Sequence, residues 1–163
     1  MHALGGDPPP GANAGADVAQ SATDSMTSDI EGGCTCGAIR YRAGGAPTNS
    51  MICHCRTCRR VAAAPVVAWL TFPRSGFEIA RGRPARFQSS EPVVRTFCNA
   101  CGTPLTYEHR DAPNTIDVTT CSLDDPNRFP PTHHSWLEHD LAWIRFGDGL
   151  PTFAQFRPPP TLP

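Results

Sequence analysis

Cysteine is the residue type whose number and spacing in this chain point most directly to chemistry. The 163 residues include eight cysteines, most of them in short clusters. The clusters read Cys34-x-Cys36, Cys53-x-Cys55-x-x-Cys58 and Cys98-x-x-Cys101. Cysteines one residue apart do not easily form a disulfide with each other, yet both thiolates can reach one ion. In a reducing compartment such clusters are more often metal ligands than disulfides.

The first and third clusters together supply the ligands of a closed metal site. Each pair, Cys34/Cys36 and Cys98/Cys101, is followed directly by glycine, which permits the positive φ that turns backbone N–H groups toward sulfur. Two cysteines do not complete a tetrahedral zinc site, so each pair needs two further ligands. We expect the two pairs to share one structural zinc with four cysteine ligands.

The middle cluster of Cys53, Cys55 and Cys58 holds three thiolates within six consecutive residues. Three protein ligands are typical of catalytic zinc, where the fourth position is left for water or substrate. We therefore expect these cysteines to form an open, catalytic zinc site. The alternative is that the clusters serve closed structural zinc sites only, with a missing ligand supplied by His54, His109 or Cys121.

His54 and Cys121 also have interpretations that involve no metal. In an extended segment the ring of His54 points away from the two cysteines beside it, which favours a core position or a supporting contact behind the ligands. Cys121 follows the strand-like run 115–120. It is predicted to be a small buried apolar residue that binds neither metal.

An open zinc site with three thiolate ligands favours sulfur chemistry over hydrolysis. Three thiolates overcompensate the +2 charge, so the ion lowers the pKa of bound water less than an ion held by neutral histidines. The soft ion suits a further sulfur ligand, and binding deprotonates that thiol at neutral pH. The predicted substrate is a small thiol or thiol adduct whose carbon–sulfur bond is made or broken.

Three arginines beside the middle cluster are candidates for binding this substrate. Arg56 lies within the cluster, and Arg59 and Arg60 follow it. A guanidinium binds a carboxylate of a thiol such as glutathione through two hydrogen bonds, and it also offsets the negative charge of a thiolate centre. The alternative is a solvated group of charges that contacts no ligand.

The overall charge argues against several classes of partner. All 14 basic side chains are arginine, and with 15 acidic side chains they leave a net charge of −1 and a pI near 6.6. This balance predicts no nucleic-acid or anionic-membrane partner, and the absence of lysine excludes Schiff-base chemistry. No apolar run reaches the ~20 residues of a bilayer span. No charged and apolar leader precedes Arg40, so we expect a cytoplasmic protein.

The remaining sequence predicts a small all-β domain stapled by zinc. Short alternating or β-branched runs are separated by Gly, Pro and Asp, whereas helical periodicity is rare. One short helical turn is expected between Cys55 and Val61. We expect a disordered tail over 1–28, the zinc domain over 29–156 and a Pro-rich tail over 157–163. The predicted strands are Ala38–Ala43, Val66–Phe72, Phe77–Ala80, Ala85–Ser89, Val93–Cys98, Leu105–His109, Thr115–Cys121, Thr132–Leu137 and Ala142–Phe146.

The other aromatic, acidic and histidine residues are assigned structural roles. Trp69, Trp136 and Trp143 are predicted to be core aromatics, one of which could line a substrate cavity. Asp124 and Asp125 follow a strand and are expected to fix a turn. The remaining histidines considered are expected to be exposed or in the core: His133, His134 and His139.

Four segments occur in an order typical of a known family. They read GGCTCGAIRY at 32–41, CHCRTCRR at 53–60, RTFCNACGT at 95–103 and SLDDP at 122–126, the last followed by His134-Ser135-Trp136. Over about residues 31–156 the chain resembles the glutathione-dependent formaldehyde-activating enzyme family, also described as the centromere-protein-V-like domain. The resemblance implies a β-tent fold and formation of S-hydroxymethylglutathione from formaldehyde and glutathione, which is a carbon–sulfur lyase activity.

The same resemblance implies a role for each cysteine cluster. A structural zinc would lie on Cys34, Cys36, Cys98 and Cys101. A second zinc, where glutathione or its hydroxymethyl adduct binds, would lie on Cys53, Cys55 and Cys58. Two other functions fit this sequence: a non-catalytic carrier of glutathione or its adducts, and a zinc-stapled protein-interaction module.

Overall fold

The structure, a computed structural model, describes residues 30–159, which form two β-sheets and one α-helix. The helix α1 is Arg56–Ala62. The strands are β1 (Ile30–Gly33), β2 (Arg40–Ala43), β3 (Asn49–Cys53), β4 (Val67–Pro73), β5 (Phe77–Arg81), β6 (Ala85–Ser90), β7 (Val93–Phe97), β8 (Pro104–His109), β9 (Thr115–Thr119) and β10 (His134–Ser135). The predicted all-β class is confirmed. The predicted tail over 1–28 lies outside the described residues, as does 160–163 of the Pro-rich tail.

The smaller sheet has the order β1-β2-β5 and the larger one the order β10-β3-β4-β9-β8-β7-β6. Within both sheets the strands pair antiparallel, except that β10 runs parallel to β3. Apolar side chains from both sheets form the main core, so the core lies between them. Within residues 30–159, no helix has the length and apolar character needed to cross a bilayer.

Strand β4 separates the main core from the region of the middle cysteine cluster. Its side chains alternate between two faces, as strand geometry requires. Leu70 and Phe72 pack into the main core. Val67 and Trp69 point to the other face, where they pack in a second cluster with Met51, Cys53 and Cys58. The site therefore lies on the face of the larger sheet that is turned away from the main core.

Strand β1 was not predicted, because its sequence Ile-Glu-Gly-Gly is poor in strand-forming residues. Tertiary contacts explain the strand. A Cβ atom at Gly32 would overlap the ring of Tyr41, so glycine lets β1 lie close to that ring. The Tyr41 hydroxyl forms a hydrogen bond of 2.7 Å with the Ser122 hydroxyl. Asp124, expected to fix a turn, forms an ion pair with Arg40 of β2.

The helical turn predicted between Cys55 and Val61 is confirmed as α1, but the predicted strand Ala142–Phe146 is wrong. This segment contains a turn and pairs with no strand of the described chain. Trp143 was predicted to be a core residue, yet its exposed fraction is 73%. Its apolar character did not lead to burial because the segment runs across the surface.

The predicted strand Thr132–Leu137 is reduced to β10, and β3 was not predicted. The backbone of Trp136 adopts the left-handed conformation, with φ of 65°, which ends β10. Strand β3 has buried residues on both faces, Ser50 on one and Met51 and Cys53 on the other, so its short sequence shows no clear alternation.

Candidate metal centres and the adjoining cavity

The four-cysteine cluster joins two turns that are distant in sequence. Cys34 and Cys36 lie between β1 and β2, and Cys98 and Cys101 lie between β7 and β8. The four sulfurs lie within 4.8 Å of one another. The Cys34–Cys36 and Cys36–Cys98 sulfur distances are 3.5 and 3.7 Å. A tetrahedral zinc with four thiolates has a sulfur–sulfur edge of about 3.8 Å, so this donor set fits one ion.

The turn geometry supports the same conclusion. Gly37 and Gly102 have φ of 74° and 78°, which are the positive values predicted for the glycines after each cysteine pair. The backbone N–H of Ile39 donates to the Cys34 sulfur at 3.2 Å. Hydrogen bonds from the side chain and backbone of Thr103 lower the pKa of Cys101 to about 5. These donors favour thiolate, which is the form of cysteine that binds a metal.

The three-cysteine cluster lies where β3 meets α1. Cys53 ends the strand, Cys55 is the N-cap of the helix and Cys58 is in its first turn. The Cys58 backbone N–H donates to the Cys55 sulfur at 3.3 Å, so one ligand also caps the helix. The three sulfurs lie within 4.8 Å of one another, and no His, Asp or Glu of the described chain joins them. The cluster therefore offers three ligands and leaves a further position open.

The electrostatics of this cluster favour a bound cation. Hydrogen bonds with Cys53 and Cys58 lower the pKa of Cys55 to about 2, whereas hydrogen bonds with Cys55 and Cys58 raise the pKa of Cys53. Three sulfurs this close cannot all ionise without strong mutual repulsion unless a cation lies between them. A divalent ion would offset this repulsion, and metal binding deprotonates coordinating thiols.

His54 is a core residue, in line with its interpretation from the sequence. It is 1% exposed, and its Nδ1–H donates to Asp140 at 2.9 Å. Its Nε2 shares a hydrogen bond of 2.8 Å with Nδ1 of His134, and Nε2 of His134 lies 2.9 Å from a carboxylate oxygen of Asp148. Both nitrogens of His54 are therefore engaged away from the cysteines. The network holds the segment after residue 139 against the end of β3.

Neither of the other two residues considered as a fourth ligand joins the cluster. His109 Nδ1 accepts from the Asp111 backbone N–H, and Cys121 lies outside both cysteine groups. Cys121 was predicted to be buried, but it is exposed. Strand β9 ends at Thr119, and the following 3₁₀ turn buries Thr120 and Ser122 while turning Cys121 outward.

A cavity of about 430 Å³ lies beside the three-cysteine cluster. Its aromatic walls come from different parts of the chain: Trp69, Tyr107, Trp136 and Phe156. Trp136 stacks on His139 with an interplanar angle of 3° and contacts Phe156 edge-on. Of the predicted core tryptophans, Trp69 is buried and Trp136 is half-buried, and both line this cavity.

The three arginines chosen from the sequence have different positions. Arg56 is exposed and lines the cavity. Arg59 donates from Nη1 to the backbone carbonyls of His54, at 3.3 Å, and His139, so it ties α1 to the neighbouring segments. Arg60 is exposed and, with Arg59, lines a separate surface groove. Only Arg56 of the three is among the residues that line the cavity.

A fourth arginine, to which the sequence interpretation gave no role, lies closest to a cluster sulfur. Arg95 is 5% exposed, and its Nη2 lies 3.5 Å from the Cys58 sulfur. Its guanidinium carbon is 4.8 Å from the centre of the Tyr107 ring and 5.7 Å from that of Trp69. Arg95 is two residues after the buried Val93 in β7, so both side chains lie on the same face of the strand. This alternation is the sequence pattern from which the burial of Arg95 could have been predicted.

Arg95 belongs to a row of side chains across the larger sheet. Cross-strand pairing places Arg95 opposite Tyr107, Tyr107 opposite Asp117, and Asp117 opposite Thr71. Directly opposed residues share one face of a sheet, and Arg95, Tyr107 and Asp117 all line the cavity. The Thr71 hydroxyl donates to Asp117 at 2.5 Å. Burial raises the pKa of Asp117, and it raises that of Tyr107 to about 12.

The fold and site together define a class: a predominantly β protein with a four-cysteine and a three-cysteine group that could each hold a metal ion. The profile of the glutathione-dependent formaldehyde-activating enzyme family matches residues 29–139. This match includes both cysteine groups and spans more than half of the chain, and the chain belongs to that family.

Comparison with known proteins adds one observation about the fold. A crystal structure of a Rhodobacter sphaeroides protein, a structural-genomics target, is similar with a TM-score of 0.52 and 23% sequence identity. The similarity covers 61% of this chain and 94% of that protein, and it shows a shared fold. None of the curated proteins matches this chain.

Proposed function

We propose that this protein is a zinc-dependent carbon–sulfur lyase that acts on a thiol–aldehyde adduct, with S-hydroxymethylglutathione as the reference substrate. The observation that carries the proposal is the three-cysteine group beside a cavity, without a fourth ligand among residues 30–159. Family membership supports the pairing of glutathione with formaldehyde. The cysteine-only donor sets support zinc as the ion.

The two sites would have separate tasks. Cys34, Cys36, Cys98 and Cys101 would hold a structural zinc that joins two turns. Cys53, Cys55 and Cys58 would hold a second zinc, which supplies a soft Lewis acid that favours the thiolate form of a bound thiol. Cavity residues would then determine how the rest of the substrate lies and what happens to the proton.

The reaction needs no oxidant. In the synthetic direction the thiol sulfur adds to the carbonyl carbon, the carbon–oxygen π bond opens, and the thiol proton ends on the new hydroxyl oxygen. We assign this proton transfer to Asp117, which lines the cavity and whose pKa is raised by burial: its protonated carboxyl would donate to the forming alkoxide oxygen, and the proton lost by the thiol would restore the carboxyl. The aromatic walls would limit access of water, and Arg56 would bind a substrate carboxylate at the exposed side.

The proposed location is the cytoplasm. The eight cysteines are free, as suits a reducing compartment where a thiol such as glutathione is abundant.

The test compares binding with turnover in the zinc-loaded protein. Calorimetric titration with glutathione and with S-methylglutathione asks whether the free thiol is required. Nuclear magnetic resonance exchange spectroscopy then measures interconversion of formaldehyde, glutathione and their adduct at substoichiometric protein. We expect strong preference for the free thiol and exchange faster than the uncatalysed rate.

The matched control is Cys55→Ser, which should retain the fold and lose both effects. Thiol binding without faster exchange would indicate a carrier. Absence of thiol binding to protein that retains its metal would favour an interaction module.

A further inference from the structure

Arg95 is a buried cation without an acidic partner. Its guanidinium forms no ion pair with a carboxylate among residues 30–159. Nε donates to the Ser89 hydroxyl at 3.2 Å, whereas the buried Nη1 has no hydrogen-bond partner in the described chain. Burial of an unpaired charge is unfavourable, so this guanidinium needs an anion nearby.

The cysteine group is the anion that the geometry supplies. Nη2 of Arg95 lies 3.5 Å from the Cys58 sulfur, and the flanking rings of Tyr107 and Trp69 hold the guanidinium in place. Three thiolates around a divalent ion carry a formal charge of −1, which one guanidinium neutralises. Without that guanidinium, an anionic fourth ligand would raise the formal charge to −2.

Other charged side chains are less suited to this task. Arg56 is exposed to solvent, where its charge is screened. Arg59 is directed to two backbone carbonyls, and Arg60 lies in a separate groove. Asp117, the carboxyl in the same row, is favoured in its neutral form by burial. Arg95 therefore supplies the buried positive charge beside the cysteine group.

We propose that Arg95 is a positioning residue that makes the open site prefer an anionic ligand, the thiolate, over a neutral ligand of similar size. This inference rests on the proposed function and adds the group that determines ligand selectivity. Arg95 contacts the Cys58 sulfur, and its positive charge offsets the negative charge of the cysteine group. Removal of the charge should therefore weaken thiolate binding much more than binding of a neutral nitrogen ligand.

The experiment uses the full chain loaded with cobalt, whose visible absorbance reports changes in its ligands. Each variant is titrated with 2-mercaptoethanol, which binds as an anion, and with imidazole, which binds neutral. The variants are Arg95→Met, which removes the charge at similar length, and Arg95→Lys, which restores it. Arg86→Met is the matched control, because Arg86 is an exposed arginine on the adjacent strand β6. Metal content is measured for each protein.

We expect Arg95→Met to weaken 2-mercaptoethanol binding about 10- to 100-fold, which corresponds to a charge about 6 Å away at intermediate dielectric. Imidazole binding should change less than about 3-fold, and Arg95→Lys should recover most of the thiol affinity. Arg86→Met should behave as the unchanged chain. If Arg95→Met does not fold, Arg95→Gln gives the same comparison.

An unchanged ratio of thiol to imidazole affinity in the charge-removing variant would overturn the role of Arg95 while leaving the proposed function intact. A Lys variant that folds but remains as weak as the Met variant would also overturn it. If the unchanged chain holds cobalt but binds no thiol, the proposed function fails, and the role of Arg95 fails with it.

Discussion

Replacement of one buried cysteine in each group tests whether the two groups differ in their importance for folding. Cys98→Ser and Cys53→Ser make the same chemical change at sites that are 0% and 3% exposed, and Cys53 is used because Cys58 also contacts Arg95. The cost of burying a hydroxyl is therefore similar in both variants. The remaining difference comes from the length of chain that each metal group closes.

The structure allows this difference to be calculated. Cys36 and Cys98 are 62 positions apart, whereas Cys53 and Cys58 are separated by five. If a metal is treated as a cross-link, loop closure contributes about 4 kcal/mol for the long loop and about 2 kcal/mol for the short one. We expect Cys98→Ser to lower the melting temperature by on the order of 10 °C more than Cys53→Ser.

The assay is thermal unfolding followed by circular dichroism, with zinc content measured on the same samples. Cys121→Ser is the control, because this cysteine is exposed and lies outside both groups. It should change neither the melting temperature nor the zinc content. Equal destabilisation by Cys98→Ser and Cys53→Ser would refute the assignment of one group to folding and the other to function.

Three further predictions test individual residues. In the metal-loaded protein, only Cys121 should react at once with a thiol reagent, which gives one equivalent per chain. The other cysteines should react only after a chelator removes the metal. Immediate reaction of more than one thiol would contradict the two-site assignment. Because the native pKa of Asp117 is raised, its contribution to stability decreases as pH rises from about 3.8 through that raised value. Asp117→Asn should flatten this part of the plot of unfolding free energy against pH, measured by denaturant titration, and it should slow adduct exchange. An unchanged plot would show that the pKa of Asp117 is not raised in the folded protein. Arg59→Ala should lower the unfolding free energy by about 1–3 kcal/mol, because it leaves the His54 carbonyl without its charged donor, while glutathione affinity measured by calorimetry stays the same.

The cysteine groups could be predicted because their ligands are arranged by local structure. Cys53, Cys55 and Cys58 lie within six residues at a strand-to-helix junction. Two cysteines before a glycine with positive φ likewise form a compact turn. Because two cysteines supply only half of a four-ligand zinc site, the two distant pairs were predicted to share one ion. The structure brings all four sulfurs together.

The cavity beside the three-cysteine cluster could not be predicted, because the residues that line it come from distant parts of the chain. Arg95, Tyr107 and Asp117 come from three strands and meet only because β7, β8 and β9 pair in one register. A shift of one residue would turn each of these side chains to the other face of the sheet. Arg95 also contacts the Cys58 sulfur of α1, which no local pattern around residue 95 reveals.

The difference between local spacing and tertiary packing explains why the fold class and the two cysteine groups were predicted correctly, whereas the burial expected for Cys121 and Trp143 was wrong. Residue types and short spacings in the sequence specify turns, helix caps and clusters of sulfur, because these depend on neighbouring backbone conformations. Burial depends on what packs against a residue. The 3₁₀ turn after β9 exposes Cys121, and an unpaired surface segment exposes Trp143, so both outcomes were set by tertiary packing and strand register.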